Sequence, residues 1–322
     1  AGLSTRTLQA LWIRMAMKNK RSSTRISLEK GDFLPTLLLS PTLFIVLVVM
    51  IVPFFYGLYI SLYAYKVGGR LDGETFVGLA NYLRLFKDET LGKVTWNTLE
   101  FALLATSGDL FFGTLIAVLL TKASRRRSDV LRAVYLIPLL ISPLIVGLIW
   151  KFIFDPASGP FYYVLSLVHL GISQVPGLSS EKTAMLCVVV AHWWQVVPFV
   201  ILVVSAGLTS IPADVYEAAY LDGASGLKLF FKITLPLLTG IYMVILVVSG
   251  VDTIKVFDLI YSLTSGGPSN STMSLSIYAY RTAFKTNDMG YAMAISLFTM
   301  VLTMLLFGIP FIKYNIKRDE EG

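Results

Sequence analysis

Long apolar runs separated by short polar segments dominate the chain. A run of about 18 or more mostly apolar residues can cross a hydrocarbon core of about 30 Å as a helix. Six such runs lie at about 37–62, 98–121, 131–154, 184–209, 237–262 and 291–314. The pattern therefore predicts an all-α fold, a polytopic membrane bundle of six transmembrane helices.

Composition and charge extend this prediction to topology. Hydrophobic residues make up 55% of the chain and charged residues only 15%. Segment 1–34 carries seven basic and two acidic residues, and loop 122–132 carries five basic and one acidic. Because positively charged short loops stay in the cytoplasm, both termini are predicted to lie there. We attribute the net charge of +7 to basic loops that fix the orientation of the chain in the membrane and contact anionic lipid, and not to a nucleic-acid binding surface.

Three regions are predicted along the chain: a basic N-terminal segment (1–34), a transmembrane domain (35–315) and a short tail (316–322). The first apolar run is too long for the apolar core of a signal peptide, so we expect it to remain as a membrane anchor. Segment 1–34 is either a helix in the membrane interface or a disordered tail. If it is a helix, Leu8, Leu11, Trp12 and Met15 lie on one face of it.

The polar loop 210–236 interrupts the apolar pattern between the fourth and fifth runs. Pro212 suits the first turn of a helix, and the following residues favour a helix that ends at Gly223. Glycine at that position permits a sharp turn at positive φ. A second amphipathic stretch then leads to Pro236, so two short helices joined at a glycine are predicted.

The same loop carries the sequence on which a family resemblance rests. It resembles the loop of bacterial ABC importer permeases, whose signature is EAA, a glycine and then I-x-L-P. The residues that match include Glu217, Ala218, Ala219, Asp222, Gly223 and Ala224, followed by Ile233, Leu235 and Pro236. The stretches WNTLEFALLATSGDLFFGTLIAVLLT, HWWQVVPF and KVFDLIYSLTSGGPSNST resemble the carbohydrate-importing branch of this family, the branch that includes the maltose permeases. The chain as a whole also resembles importers of oligosaccharides from acidic polysaccharides such as alginate.

The resemblance implies a non-catalytic subunit of the bacterial inner membrane that imports a sugar or oligosaccharide. It implies four partners besides the bilayer: an ATPase dimer, a homologous second permease or a copy of this chain, a periplasmic binding protein and the sugar. The loop would be the coupling helix that docks on the ATPase. No cofactor is expected in this chain, since ATP and Mg²⁺ would be bound by the ATPase.

Polar and aromatic residues in the fourth and fifth runs are candidates for the substrate path. Trp193, Trp194 and Gln195 either line a sugar cavity or, for the tryptophans, anchor the helix at the interface. Asp252, Lys255 and Asp258 line the path, contact the partner permease, or form a structural pair on one helix face. Asp109 is expected to face a neighbouring helix or the cavity. The loop 263–290 contains the turn SGGPSN, and the resemblance adds docking of the binding protein.

Two other classes of protein fit the sequence less well. A secondary transporter would show internal repeats, which the sequence lacks. An intramembrane enzyme would need a catalytic motif, but the sequence has two histidines, no H-E-x-x-H and no G-x-S-x-G. A G-x-x-x-x-G-K-[ST] phosphate loop is also absent, so the energy for transport is expected from another subunit.

Overall fold

A computed structural model describes residues 33–69, 71–73, 75–121, 130–131, 133–169 and 175–321. The expected interfacial helix in segment 1–34 lies almost wholly outside these residues, as does most of the basic loop 122–132. The chain divides into two compact units, residues 1–57 and 58–322. Within the described part, every regular element is helical, apart from a single β-bridge between Tyr63 and Phe76.

The first unit contains an apolar helix that matches the first predicted run. Helix α1 (Phe33–Val46) passes through a π-helical turn (Leu47–Ile51) into α2 (Val52–Ile60), which enters the second unit. The apolar length is Leu38–Ile60, 23 residues. At 1.5 Å per residue this length exceeds the roughly 30 Å of a hydrocarbon core.

The second unit is built from helices of very different lengths. Short α3 (Ala80–Leu85) precedes α4 (Glu89–Thr121), and α5 (Pro143–Ile153) precedes α6 (Pro160–Leu167) and α7 (Glu181–Ser210). Next come α8 (Ala213–Leu221), α9 (Gly226–Leu229), α10 (Leu235–Leu237), α11 (Thr239–Ile254) and α12 (Asp258–Leu263). The last three are α13 (Leu275–Phe284), α14 (Met289–Thr303) and α15 (Ile309–Glu321), and α15 extends through most of the predicted tail.

Four helices in the described part are long and apolar enough to cross a membrane, and the number rises to six if each of two bent pairs is one span. The third predicted span is bent by 100° between Ala133–Leu140 and Pro143–Ile153. The pair Gly226–Leu237 and Thr239–Ile254 is bent by 70°. The prediction of an all-helical fold is confirmed, whereas the count of six spans is not.

Small residues allow α4, α7 and α11 to pack closely. A Cβ atom added at Gly108 of α4 would lie 2.1 Å from the indole of Trp193 in α7, and one at Gly113 would lie 2.5 Å from Val200. On α7, a Cβ at Gly207 would lie 2.1 Å from Ile241 of α11. Small residues are the usual means of bringing helices together in membranes, where lipid is as apolar as the side chains.

A buried polar cluster joins the same three helices. Asp109 of α4 is fully buried. Its Oδ2 accepts a hydrogen bond from the hydroxyl of Ser249 in α11 at 2.7 Å, and the same oxygen lies 3.1 Å from Nε2 of His192 in α7. The ring of Phe101 packs edge-on against His192. Asp109 therefore faces neighbouring helices, which was one of its two expected environments.

A second polar cluster lies at the start of α4 and joins that end of the helix to α13 and α14. Asp88 accepts hydrogen bonds from the hydroxyls of Tyr278 (2.6 Å) and Tyr291 (2.7 Å). Partial burial opposes ionisation of Asp88, but these hydrogen bonds outweigh it and hold its pKa below the usual value. Arg84 pairs with Asp288 at 2.6 Å and lies over the ring of Tyr291.

The first prediction concerns the contact at Gly108. The change Gly108→Val forces the Trp193 indole out of its place, and overpacking of this kind costs about 1–3 kcal/mol. We expect a lower melting temperature of the purified protein in detergent. Gly92→Val is the matched control, because Gly92 lies in the same helix with no atom within 4 Å of an added Cβ. Equal melting temperatures for the two variants would contradict the packing.

The second prediction concerns Asp109. Asp109→Ala leaves the buried Ser249 hydroxyl and His192 ring without their shared acceptor, which costs about 1–3 kcal/mol. Asp252→Ala removes an exposed carboxylate and should cost less than about 1 kcal/mol. Unfolding in mixed micelles at increasing SDS concentration measures the free energy of unfolding of both variants. If Asp252→Ala lowers this free energy as much as Asp109→Ala does, the buried cluster does not stabilise the fold.

Candidate functional site

The loop 210–236 forms a hairpin of two short helices, as the sequence predicts. Helix α8 ends in two backbone hydrogen bonds that close a left-handed turn: the amide of Ala224 donates to the carbonyl of Ala219 (2.9 Å), and that of Gly223 donates to Tyr220 (3.0 Å). Gly223 has φ +76°, a value that side-chain-bearing residues rarely adopt. The predicted glycine turn is therefore present at the predicted residue.

The hairpin differs in detail from its prediction. Pro212 precedes α8 as its N-cap and is not in its first turn. A second positive φ of +53° occurs at Gly226, at the start of α9, and a π-helical turn (Phe230–Thr234) follows. The π-turn could not be predicted from the sequence, because its residues have an ordinary amphipathic pattern. The hydroxyls of Tyr216 and Thr234 lie 3.4 Å apart and connect the two arms.

The exposed surface of the hairpin is both apolar and charged. Leu221 is 89% exposed and Leu227 is 76% exposed. The matched residues Glu217, Ala218, Asp222 and Gly223 are also exposed, and Ala224 is half-buried. Ala219 is buried under the turn, so its small side chain serves the hairpin itself. Large apolar side chains at the tip of a projecting hairpin are typical of a surface that another protein covers.

The fifth apolar run is broken where its charged residues lie. Helix α11 ends at Ile254, and α12 begins at Asp258 after a non-helical stretch. Lys255 Nζ pairs with Asp252 Oδ1 at 2.9 Å, and both side chains are 63% exposed. Asp258 is exposed in the first turn of α12. The candidate span that includes Thr239–Ile254 ends at this break, so the three charged residues lie at the end of that span.

The three candidates in α7 have different surroundings. Trp193 packs against α4, and its indole N–H donates to the carbonyls of Leu104 and Ala105 at 3.2 and 3.1 Å. Gln195 is buried, and its amide donates to the carbonyl of Ile141 at 2.8 Å. Trp194 is 39% exposed, so it is the most exposed of the three. The structure does not bring Trp193 and Gln195 to the same surface as Trp194.

The turn 265–270 is fixed by side chains from two other helices. Lys93 and Asn97 of α4 donate to the carbonyls of Ser269 and Asn270 at 2.9 and 2.7 Å. Arg281 of α13 donates to the carbonyl of Ser265 at 2.6 Å. The turn was predicted from the sequence, but the three side chains that hold it were not. Lys93 and Asn97 are distant from the turn along the chain, and Arg281 lies in the following helix.

Comparison with known proteins places the chain in a family. Residues 110–312, more than half of the chain, match the family described as "Binding-protein-dependent transport system inner membrane component". The chain is 37% identical to the trehalose/maltose transport system permease protein MalF of Thermococcus litoralis, over 88% of this chain and 94% of the relative. It is 31% identical to the sulfoquinovosyl glycerol transport system permease protein SmoG of Agrobacterium fabrum, over 88% and 91%.

A solved structure shares the fold. A chain of a bacterial ABC transporter involved in the import of the acidic polysaccharide alginate superposes with a TM-score of 0.77 at 23% identity, over 89% of this chain and 96% of that one. With the family match and the relatives above, the conclusion is that this protein belongs to the binding-protein-dependent transport system inner membrane components, the sugar-type ABC transporter permeases.

Proposed function

We propose that the chain is the permease subunit of an ATP-driven, binding-protein-dependent importer of sugars or oligosaccharides. The observation that carries the proposal is the hairpin α8–α9, in which the EAA and glycine residues form a rigid, exposed turn in a chain of this family. The chain forms half of the translocation path. A homologous permease or a second copy of the chain forms the other half.

The hairpin couples the permease to an ATPase dimer. Its exposed leucines enter a cleft on the ATPase, and Glu217 and Asp222 offer charge at the rim of the contact. ATP and Mg²⁺ are held by the ATPase, whose closure moves the two hairpins together and opens the path to the opposite side. In this proposal the chain spans the inner membrane. The hairpin and both termini lie in the cytoplasm, and the turn 265–270 lies on the periplasmic side.

The periplasmic side receives the loaded binding protein. The turn 265–270 supports this role because Lys93, Asn97 and Arg281 hold it in one conformation, and a preformed surface binds a partner at lower entropic cost. The sugar then enters the path near the break between α11 and α12. Asp252, Lys255 and Asp258 are exposed there, and exposed charges at a membrane span need water or a protein partner.

The third prediction tests coupling at Gly223. Gly223→Val places a β-branched residue at φ +76° and strains the turn by about 1–3 kcal/mol, although no neighbouring atom obstructs the side chain. We expect normal insertion and assembly, with loss of the ATP hydrolysis that the loaded binding protein stimulates.

Gly223→Asn is the matched control for this prediction. Asparagine tolerates the left-handed region and should retain most of the stimulated hydrolysis. If purified complexes with Gly223→Val hydrolyse ATP at the stimulated rate of the unmodified complex, the hairpin does not carry the coupling.

The fourth prediction separates a structural pair from a path-lining one. Single reversal of Asp252 or Lys255 puts two like charges three residues apart, whereas the double change Asp252→Lys with Lys255→Asp restores an ion pair. We expect assembly to recover in the double variant, but uptake per assembled complex to stay low, because a solute in the path meets exchanged charges. Full recovery of uptake would assign the pair a structural role only.

A further inference from the structure

A groove lies between α11, α13 and α14, with a volume of about 390 Å³. Its lining includes Val251 of α11, Lys255 directly after that helix, Ser276 of α13, and Thr299 and Met300 of α14. Ligand sites in proteins typically have about 300–1,000 Å³ and a mostly apolar wall with a few placed polar groups. The groove therefore has the size and the wall of a small-molecule site.

Three hydroxyls form a row along one wall of the groove. Ser296, Thr299 and Thr303 are spaced three and four residues apart on α14, so they share one helix face. Each donates its proton to a carbonyl one turn earlier in its own helix, at 3.0, 2.9 and 2.8 Å. A hydroxyl that has donated its proton can still accept hydrogen bonds through its lone pairs. The row therefore offers acceptors to whatever occupies the groove.

The cation in the groove is already paired. Lys255 Nζ lies 2.9 Å from Asp252 Oδ1, so its charge is compensated within the protein. The ammonium has three N–H donors, and the pair leaves others free. A carboxylate or phosphate could accept from the same N–H groups, but an ionised one has no proton to donate to the acceptor row, and the charge of Lys255 is already compensated by Asp252. A neutral solute with several hydroxyl groups can donate to the row and accept from Lys255.

One end of the groove is closed by a tight helix contact. A Cβ atom at Gly250 would lie 2.2 Å from the ring of Phe307, which belongs to the π-helical turn Met304–Gly308 that follows α14. Val251 and Lys255, which follow Gly250 along the chain, line the groove together with the hydroxyl row. The apolar side chains of Met300 and Met304 can cover the C–H faces of a sugar ring in that space.

We propose that this groove binds a neutral, polyhydroxylated solute, with Thr299 at the centre of the hydroxyl row as a specificity-determining contact. The inference rests on the proposed import function and deepens it. It assigns part of the substrate path to α14, which the sequence did not indicate, and it selects neutral sugars over acidic ones.

The test is thiol modification of Thr299→Cys in the assembled complex in proteoliposomes. The natural cysteine, Cys187, is buried, so background labelling is low. The matched control is Val301→Cys, on the same helix and 49% exposed, but not part of the groove. Because thiolates form in water and not in lipid, we expect a membrane-impermeant methanethiosulfonate reagent to modify Thr299→Cys about tenfold faster than Val301→Cys.

Sugars are then added as competitors of the modification. Maltose, trehalose or cellobiose, as neutral probes, should slow the reaction at Thr299→Cys about threefold once the sugar reaches twice its Kd. Digalacturonate at the same concentration should not slow it. No protection by any neutral probe, or better protection by digalacturonate, overturns the proposed ligand class. Equal labelling of the two cysteines overturns the groove as an aqueous site.

The proposed function is measured separately in the same complexes, as ATP-dependent uptake with the loaded binding protein. If uptake requires this chain while Thr299→Cys is neither labelled nor protected, the groove is wrong and the importer assignment stands. If Thr299→Cys is protected by a neutral sugar but ATP drives no uptake, the site is right and the proposed function fails.

Discussion

The need to satisfy every backbone polar group inside a membrane shapes this protein more than any other constraint. A helix meets that need along its length, but a break frees carbonyls that water cannot reach. At the bend near Ser142, the amide of Gln195 donates to the freed carbonyl of Ile141. At the break between α11 and α12, Ser274 donates to the carbonyl of Val256 at 2.9 Å. These two breaks are thus each held by a side chain from a later part of the chain, Gln195 of α7 and Ser274 at the N-cap of α13.

The same constraint links the fold to the proposed path. A broken helix places polar backbone and charged side chains where straight helices would show only apolar ones, and here Asp252, Lys255 and Asp258 gather at one break. The unbroken helices α4 and α7 form the scaffold, joined to α11 through Asp109. Outside the spans, the hairpin α8–α9 exposes leucines that neither water nor lipid headgroups favour. The packed helices α4, α7 and α11, the charged break after α11 and the hairpin with its exposed leucines are the parts that a permease coupled to an ATPase would need.

Sequence reasoning predicted the helical class and the glycine turn, because both depend on local signals. Hydropathy located α4 and α7 but shortened them: the runs 98–121 and 184–209 lie inside Glu89–Thr121 and Glu181–Ser210. The polar first turns of α4 carry Lys93 and Asn97, which anchor the turn 265–270, so the helix continues where apolarity ends.

The tertiary partnerships could not be predicted from a single sequence. Asp109 meets residues 83 and 140 positions away, and no local pattern connects them. The bend near Ser142 lies inside a continuous apolar run, where hydropathy does not change. The break after Ile254 lies among Asp252, Lys255 and Asp258, but charged residues alone do not show that a helix ends there. Trp193 and Gln195 are polar-tipped residues in a helix, and only their neighbours show that both donate to carbonyls within the protein.

Site-specific photo-cross-linking can show whether the exposed hairpin contacts an ATPase. A photoreactive amino acid would be placed at Leu221, which is 89% exposed, in cells that express the complete transport system. The account predicts a cross-linked product with a polypeptide that also binds a photoreactive ATP analogue. The same probe at Leu140, which is 83% exposed but outside the hairpin, should give no such product. Cross-linking of Leu221 only to lipid, or to proteins that bind no ATP, would contradict the account.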